Sequence, residues 1–162
     1  MNSDQTPSGG HTQDDGGIFK RELPADWTSA SLARQAIREA LATWAIDDPD
    51  RDAELLASEL VTNASLHAPG SPIGFVVRRD SRDGGKRGVT CEVTDSSPTA
   101  PKMRLAKPDQ EHGRGMAIVN ALADATGAQV GPTGKTTWFT LALHDRVNRV
   151  ARQAELDPEA GS

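Results

Sequence analysis

The chain has 162 residues, 36% of them hydrophobic and 25% charged, and a formal net charge of -5. That is enough for one domain with a real core, and the acidic balance argues against nonspecific binding to nucleic acid or anionic membranes, which would want a basic excess. No apolar run is long enough to span a bilayer and no signal-peptide apolar core opens the chain, so a cytoplasmic location is expected.

From Asn2 to Gly17 there is no apolar side chain to offset the entropy of ordering, and residues 1–17 are expected to be a disordered arm. Ile18 to Leu23 alternates as a first strand and Pro24 ends it. Thr28 or Ser29 then caps a helix whose apolar side is Ala33, Ile37, Ala40, Leu41 and Trp44, running to about Ile46. Asp47-Asp48-Pro49-Asp50 breaks it, and a second helix is predicted from about Pro49 to His67, stopped by Pro69-Gly70.

On that second helix Glu59, Asn63 and His67 recur every four residues, so they form one stripe with only about 40° of drift per step. The stripe overlaps the apolar side made by Leu56, Leu60 and Ala64, which turns its polar groups inward. Glu54, Ser58 and Thr62 are expected on the solvated face, with Leu55 at the apolar edge. An inward acid, amide and imidazole need partners, since an unpaired buried polar group costs roughly 1 to 3 kcal/mol. Taken alone, the same spacing also fits an exposed face with three ordinary polar residues.

Ile73 to Arg79 and Val89 to Asp95 read as two strands joined by a charged, glycine-rich turn, Asp80 to Gly88. The period of two puts Val89, Cys91, Val93 and Asp95 on one face, so Asp95 continues an apolar row and aims a carboxylate at the interior. Asp-Ser-Ser-Pro is also good turn chemistry, which leaves a turn-initiating Asp open. Cys91, the only cysteine, reads as a small buried hydrophobe, and with four scattered histidines it gives no metal-ligand spacing. Ser96 to His112 is a long irregular segment. Gly113-Arg114-Gly115 then opens a helix carrying Met116, Ile118, Val119 and Leu122 and closing near Gly127. Glycines at such a start let backbone N–H groups approach an anion, though they also serve as a flexible lead into a helix. Ala128 to Val130, the turn Gly131-Pro132-Thr133-Gly134 and Lys135 to Leu143 form a closing hairpin with Phe139, Leu141 and Leu143 on the core side and Trp138 on the other. Residues 144–162 are a tail with helical spacing at Val147, Val150 and Ala154.

The order of parts is a helix with Glu-x-x-x-Asn, a strand ending in Asp, an irregular lid, His112-Gly113-Arg114-Gly115-Met116, and a last strand entered through Gly134-Lys135-Thr136-Thr137. Across about Ile18 to Leu143 it resembles the GHKL-type (histidine kinase-like, Bergerat-type) ATPase fold shared by gyrase, histidine kinases and MutL. Within that group it is most similar to the anti-sigma-factor serine kinases and related ATP-binding regulators of actinobacteria. The resemblance implies a two-layer α/β (α+β) sandwich, a mixed, mainly antiparallel sheet covered on one face by helices, spanning residues 18–143. It implies Mg2+ and ATP as ligands, with Asn63 on the metal through its amide oxygen. Glu59 would be the general base, and Asp95 the acceptor for the adenine amino group. Gly113, Arg114 and Gly115 would wrap the phosphates, with Met116 beside them and Ser97 and Thr136 at the base. For His67 a packing or helix-ending role stands beside a phosphate contact.

Two positions depart from the family pattern. Ser97 stands where Asp-x-Gly has its glycine, and Gly134-Lys135 replaces the usual Gly-Thr pair, with Thr136 behind it. The activity implied is transfer of the ATP γ-phosphate to a serine or threonine of a partner, typically an anti-anti-sigma protein, with a sigma factor as the other partner. The alternative is a non-catalytic ATP-binding module that docks its partner by nucleotide state. No direct nucleic-acid or membrane partner is expected. The bare sheet face bearing Trp138 predicts an interaction surface, a homodimer among its uses.

Overall fold

The computed structural model describes residues 16–81, 87–97 and 111–145, with the side chains of residues 81, 111–114, 144 and 145 outside that description. The expected arm (apart from Gly16 and Gly17), most of the lid, and the tail beyond Asp145 therefore lie outside the described residues. Nine elements follow in order: β1 (Ile18–Leu23), α1 (Ser29–Thr43), β2 (Ile46–Asp47), α2 (Asp52–His67), β3 (Ile73–Ser81), β4 (Arg87–Asp95), α3 (Glu111–Leu122), β5 (Ala125–Gly131) and β6 (Gly134–Asp145).

The strands pair in the order β1-β3-β4-β6, and the far edge of β6 is shared by β5 and the two-residue β2. Every described pairing is antiparallel, so the expected mixed sheet is antiparallel throughout among the described residues. Alternation sets the two faces. Phe75 and Val77 of β3, Cys91 and Val93 of β4, and Phe139 and Leu141 of β6 meet Ile37 and Ala40 of α1, Leu56, Leu60 and Val61 of α2 and Val119 of α3 in one core. Burial pushes the Cys91 thiol far up, out of reach of thiolate chemistry, in line with its reading as a small hydrophobe. The outer face is polar: Arg78 pairs with Glu92 at 3.6 Å, and the Thr94 and Thr136 hydroxyls bond to each other at 2.9 Å. Trp138 is half-buried on that face because its indole lies over Gly127, where a Cβ would meet the ring.

Gly127 therefore belongs to a strand and does not close α3, which ends at Leu122. The flat approach of the indole is what the missing side chain permits. Helix α1 ends at Thr43, short of the expected Ile46, because Ile46–Asp47 pair with β6 as β2, and two further corrections concern helix starts. At α1 the Thr28 hydroxyl makes no cap bond; instead Asp26 Oδ1 accepts from both the N–H and the hydroxyl of Thr28. At α2, Asp48 reaches in from outside the helix, and its carboxylate accepts from the N–H groups of Ala53 and Glu54, each at 3.3 Å. Burial raises the Asp48 carboxyl above its ordinary value, opposed by those hydrogen bonds.

The expected solvated face of α2 is also corrected. Glu54 and Ser58 are buried while Thr62 is exposed, because α1 packs along that side. Arg38 of α1 meets Glu54 at 3.2 Å, and the Ser58 hydroxyl donates to the Leu55 carbonyl at 2.8 Å. Leu55, expected at the apolar edge, is exposed.

Candidate functional site

The polar stripe lies where α2 leaves the sheet and meets α3. Glu59 and Asn63 are half-buried, and His67, in the last turn, is more exposed. Among the described residues neither Glu59 nor Asn63 carries a hydrogen bond or ion pair, so an acid and an amide stand unengaged on successive turns of α2. No three His, Cys, Asp or Glu among the described residues cluster as a metal site. A cation held at Asn63 would therefore draw its remaining ligands from water or a bound anion.

The first turns of α3 come against this stripe. Among the described residues the helix runs from Glu111, two residues ahead of the glycine triplet, so Gly113 and Gly115 lie inside it. Gly115 lies directly on the Glu59 carboxylate: a Cβ there would collide with Oε2 and come within 3.3 Å of Cδ. A side chain at this position would force the Glu59 carboxylate to swing away from α3. Met116 is partly buried against the core. The side chain of Arg114 lies outside the described residues.

At the sheet end of the site, Asp95 is 3% exposed and aimed inward. Its Oδ1 accepts the Ser97 N–H at 2.7 Å, so the Asp-x-Ser departure still forms the local turn. The other oxygen faces a residue whose function sequence reasoning missed. Lys135 pairs with Asp95 directly across β4 and β6 and is 2% exposed, with its Nζ 3.7 Å from Asp95 Oδ2 and 2.8 Å from His67 Nδ1. An ammonium can only donate, so this contact suits a neutral His67 with its proton on Nε2. Burial, and then the Lys135 charge, hold His67 below its ordinary pKa, as a neutral acceptor requires. Lys135 could have been found: the period of two that puts Phe139, Leu141 and Leu143 on the core side puts Lys135 there as well. Thr136 points the other way, bonded to Thr94 on the outer face, and the structure does not bring it together with Asp95.

Gly134 has its own steric reason. A Cβ there would collide with the Asp95 carbonyl and lie 3.3 Å from the Ser96 Cα, so β6 can approach the turn after β4 only without a side chain.

An antiparallel sheet carrying a buried inward Asp at one strand end, roofed by a helix with Glu-x-x-x-Asn that opens against a glycine-led helix, defines a two-layer nucleotide-type sandwich. The family model for the histidine kinase-like ATPase domain matches residues 23–141, and the chain belongs to that family. Among solved structures it resembles the RsbU and RsbW domains of Rv1364c from Mycobacterium tuberculosis, at 23% identity and a TM-score of 0.52. That likeness, which is one of fold, covers 78% of this chain and about a third (32%) of the other. No curated protein matches the chain significantly. Among the described residues no helix is long and apolar enough to cross a membrane.

Proposed function

We propose that the chain is an ATP-binding regulator that transfers phosphate to a serine or threonine of a partner protein, of the anti-anti-sigma kind, and also binds a sigma factor. The observation that carries this reading is the pair of unengaged oxygens on α2, Glu59 and Asn63, with Gly115 of α3 closed onto the acid. A module that only binds has no use for a free carboxylate beside the metal ligand. Bound Mg-ATP would supply the phosphoryl donor and the cation that offsets its charge. The Asn63 amide oxygen would hold the metal, and the N-terminal end of α3, with Gly113 in its first turn and Arg114 and Gly115 following, would face the phosphates, where the helix dipole favours negative charge. Asp95 and Ser97 would take the base, with Met116 beside the phosphate turn. Glu59 would accept the proton of the attacking hydroxyl.

The fit is better at the phosphate end than at the base end, where Lys135 already faces Asp95. That observation favours the second reading, a non-catalytic module that switches partners by nucleotide state. Glu59→Ala separates the two. On Mg-ATP with an anti-anti-sigma protein as acceptor, the variant is expected to lose about a hundredfold or more in phosphate transfer while nucleotide affinity stays nearly unchanged. Transfer at the wild-type rate would remove Glu59 as the base, and no transfer by the wild type to any such acceptor would leave the second reading. The half-buried Trp138 on the outer sheet face is where we place a protein partner or a second copy, and the expected cytoplasmic location is that of such a regulator.

A further inference from the structure

Asp95 does not wait empty for a ligand. One carboxylate oxygen is taken by the Ser97 N–H at 2.7 Å and the other faces the Lys135 ammonium at 3.7 Å, while His67 Nδ1 lies 2.8 Å from that ammonium. Both Lys135 and Asp95 are almost wholly buried, with side-chain exposures of 2% and 1%, so the charges compensate each other away from water. The reading of Asp95 as the base carboxylate asks the same Oδ2 to accept an exocyclic amino group. At 3.7 Å the ammonium is ion-paired with Oδ2 and not hydrogen-bonded to it, but a base amino group has to approach the same buried oxygen, where a full positive charge already stands.

Resting on that reading, we propose that Lys135 is an internal occupant of the base site, setting both the affinity for adenine nucleotides and the discrimination between 6-amino and 6-oxo purines. A 6-amino purine brings its N–H to the Oδ2 that the ammonium faces and pushes that charge back toward His67. A 6-oxo purine presents a carbonyl that accepts from Lys135 and an N1–H that donates to Asp95, so the pair need not be broken. The wild-type site therefore discriminates weakly between ATP and ITP, and removing the cation restores preference for the amino group. His67 is part of the device because its Nδ1, 2.8 Å from the ammonium, leaves that charge a partner when the carboxylate is taken.

The test is calorimetric titration of the full chain with Mg-ATP and with Mg-ITP, for the wild type and for Lys135→Thr. Lys135→Met, which keeps the volume without the charge, is the second variant should the threonine fail to fold. The expected result is that either variant binds ATP at least about tenfold more tightly than the wild type and ITP no more tightly, so that the ATP to ITP affinity ratio rises. An ATP affinity unchanged or weakened in a variant that still melts cooperatively would overturn the proposal while leaving the nucleotide reading intact, as would an equal gain for both nucleotides. If neither wild type nor variant binds any nucleotide, the reading of Asp95 falls and the proposal falls with it.

Discussion

Replacing Asp95 by alanine is expected to cost the fold about 3 to 5 kcal/mol, the range for removing one partner of a buried ion pair. Lys135 cannot reach water from where β6 holds it, since the residue is 2% exposed. Without the carboxylate its ammonium keeps only a neutral imidazole, and the Ser97 N–H loses its acceptor as well. Against the roughly 5 to 15 kcal/mol that separates folded from unfolded domains, this is a large share. Urea unfolding with an unchanged m-value reads it directly. The double variant Asp95→Leu with Lys135→Met should recover most of the loss, because the cost lies in the orphaned charge and not in the absence of the pair. A loss below about 1 kcal/mol in Asp95→Ala would mean that the ammonium finds water, and the burial argument would be wrong.

Gly134→Ala is expected to destabilise the chain by about 2 to 3 kcal/mol through overpacking. The collision is with backbone, the Asp95 carbonyl and the Ser96 Cα, so no side chain can swing aside. Relief has to come from separating β6 from the end of β4, which also moves Lys135 away from Asp95. Gly131, at the other side of the same hairpin turn, is the control: a Cβ there meets only the Gly134 carbonyl at 3.6 Å, an ordinary contact, and Gly131→Ala should be near neutral. Equal effects at the two positions, read by thermal melting, would contradict the close approach at Gly134.

Much of this architecture is legible in the residue pattern. The alternation of Ile18–Leu23 gives β1 to the residue, and Val89, Cys91, Val93 and Asp95 share the buried face that the period of two requires. The apolar side of α1 and the hairpin around Pro132-Thr133 follow from local periodicity and turn chemistry, although the expected Thr28 or Ser29 cap does not form. What was not legible depended on neighbours far along the chain. Glu54 and Ser58 look solvated on a single-helix wheel, and only the packing of α1 buries them. Gly127 looks like a helix stop until Trp138 is placed over it. At the site, Glu59, Asn63 and Asp95 were visible as inward polar groups, but Thr136 was favoured over Lys135 because the family pattern puts a threonine at the base. Strand register puts Lys135, not Thr136, opposite Asp95 on the buried face. A charged residue continuing an apolar row is the signal that pattern reasoning passed over, on β6 as it had been noticed on β4.

The proposed function rests on a magnesium-bound nucleotide held through Asn63. Calorimetric titration with ATP, carried to millimolar nucleotide with and without Mg2+, tests it in the wild type and in Asn63→Ala. Binding that requires magnesium and disappears in the variant, with the melting temperature retained, is the predicted result. No binding in the wild type, or binding indifferent to both the metal and Asn63, would contradict the claim.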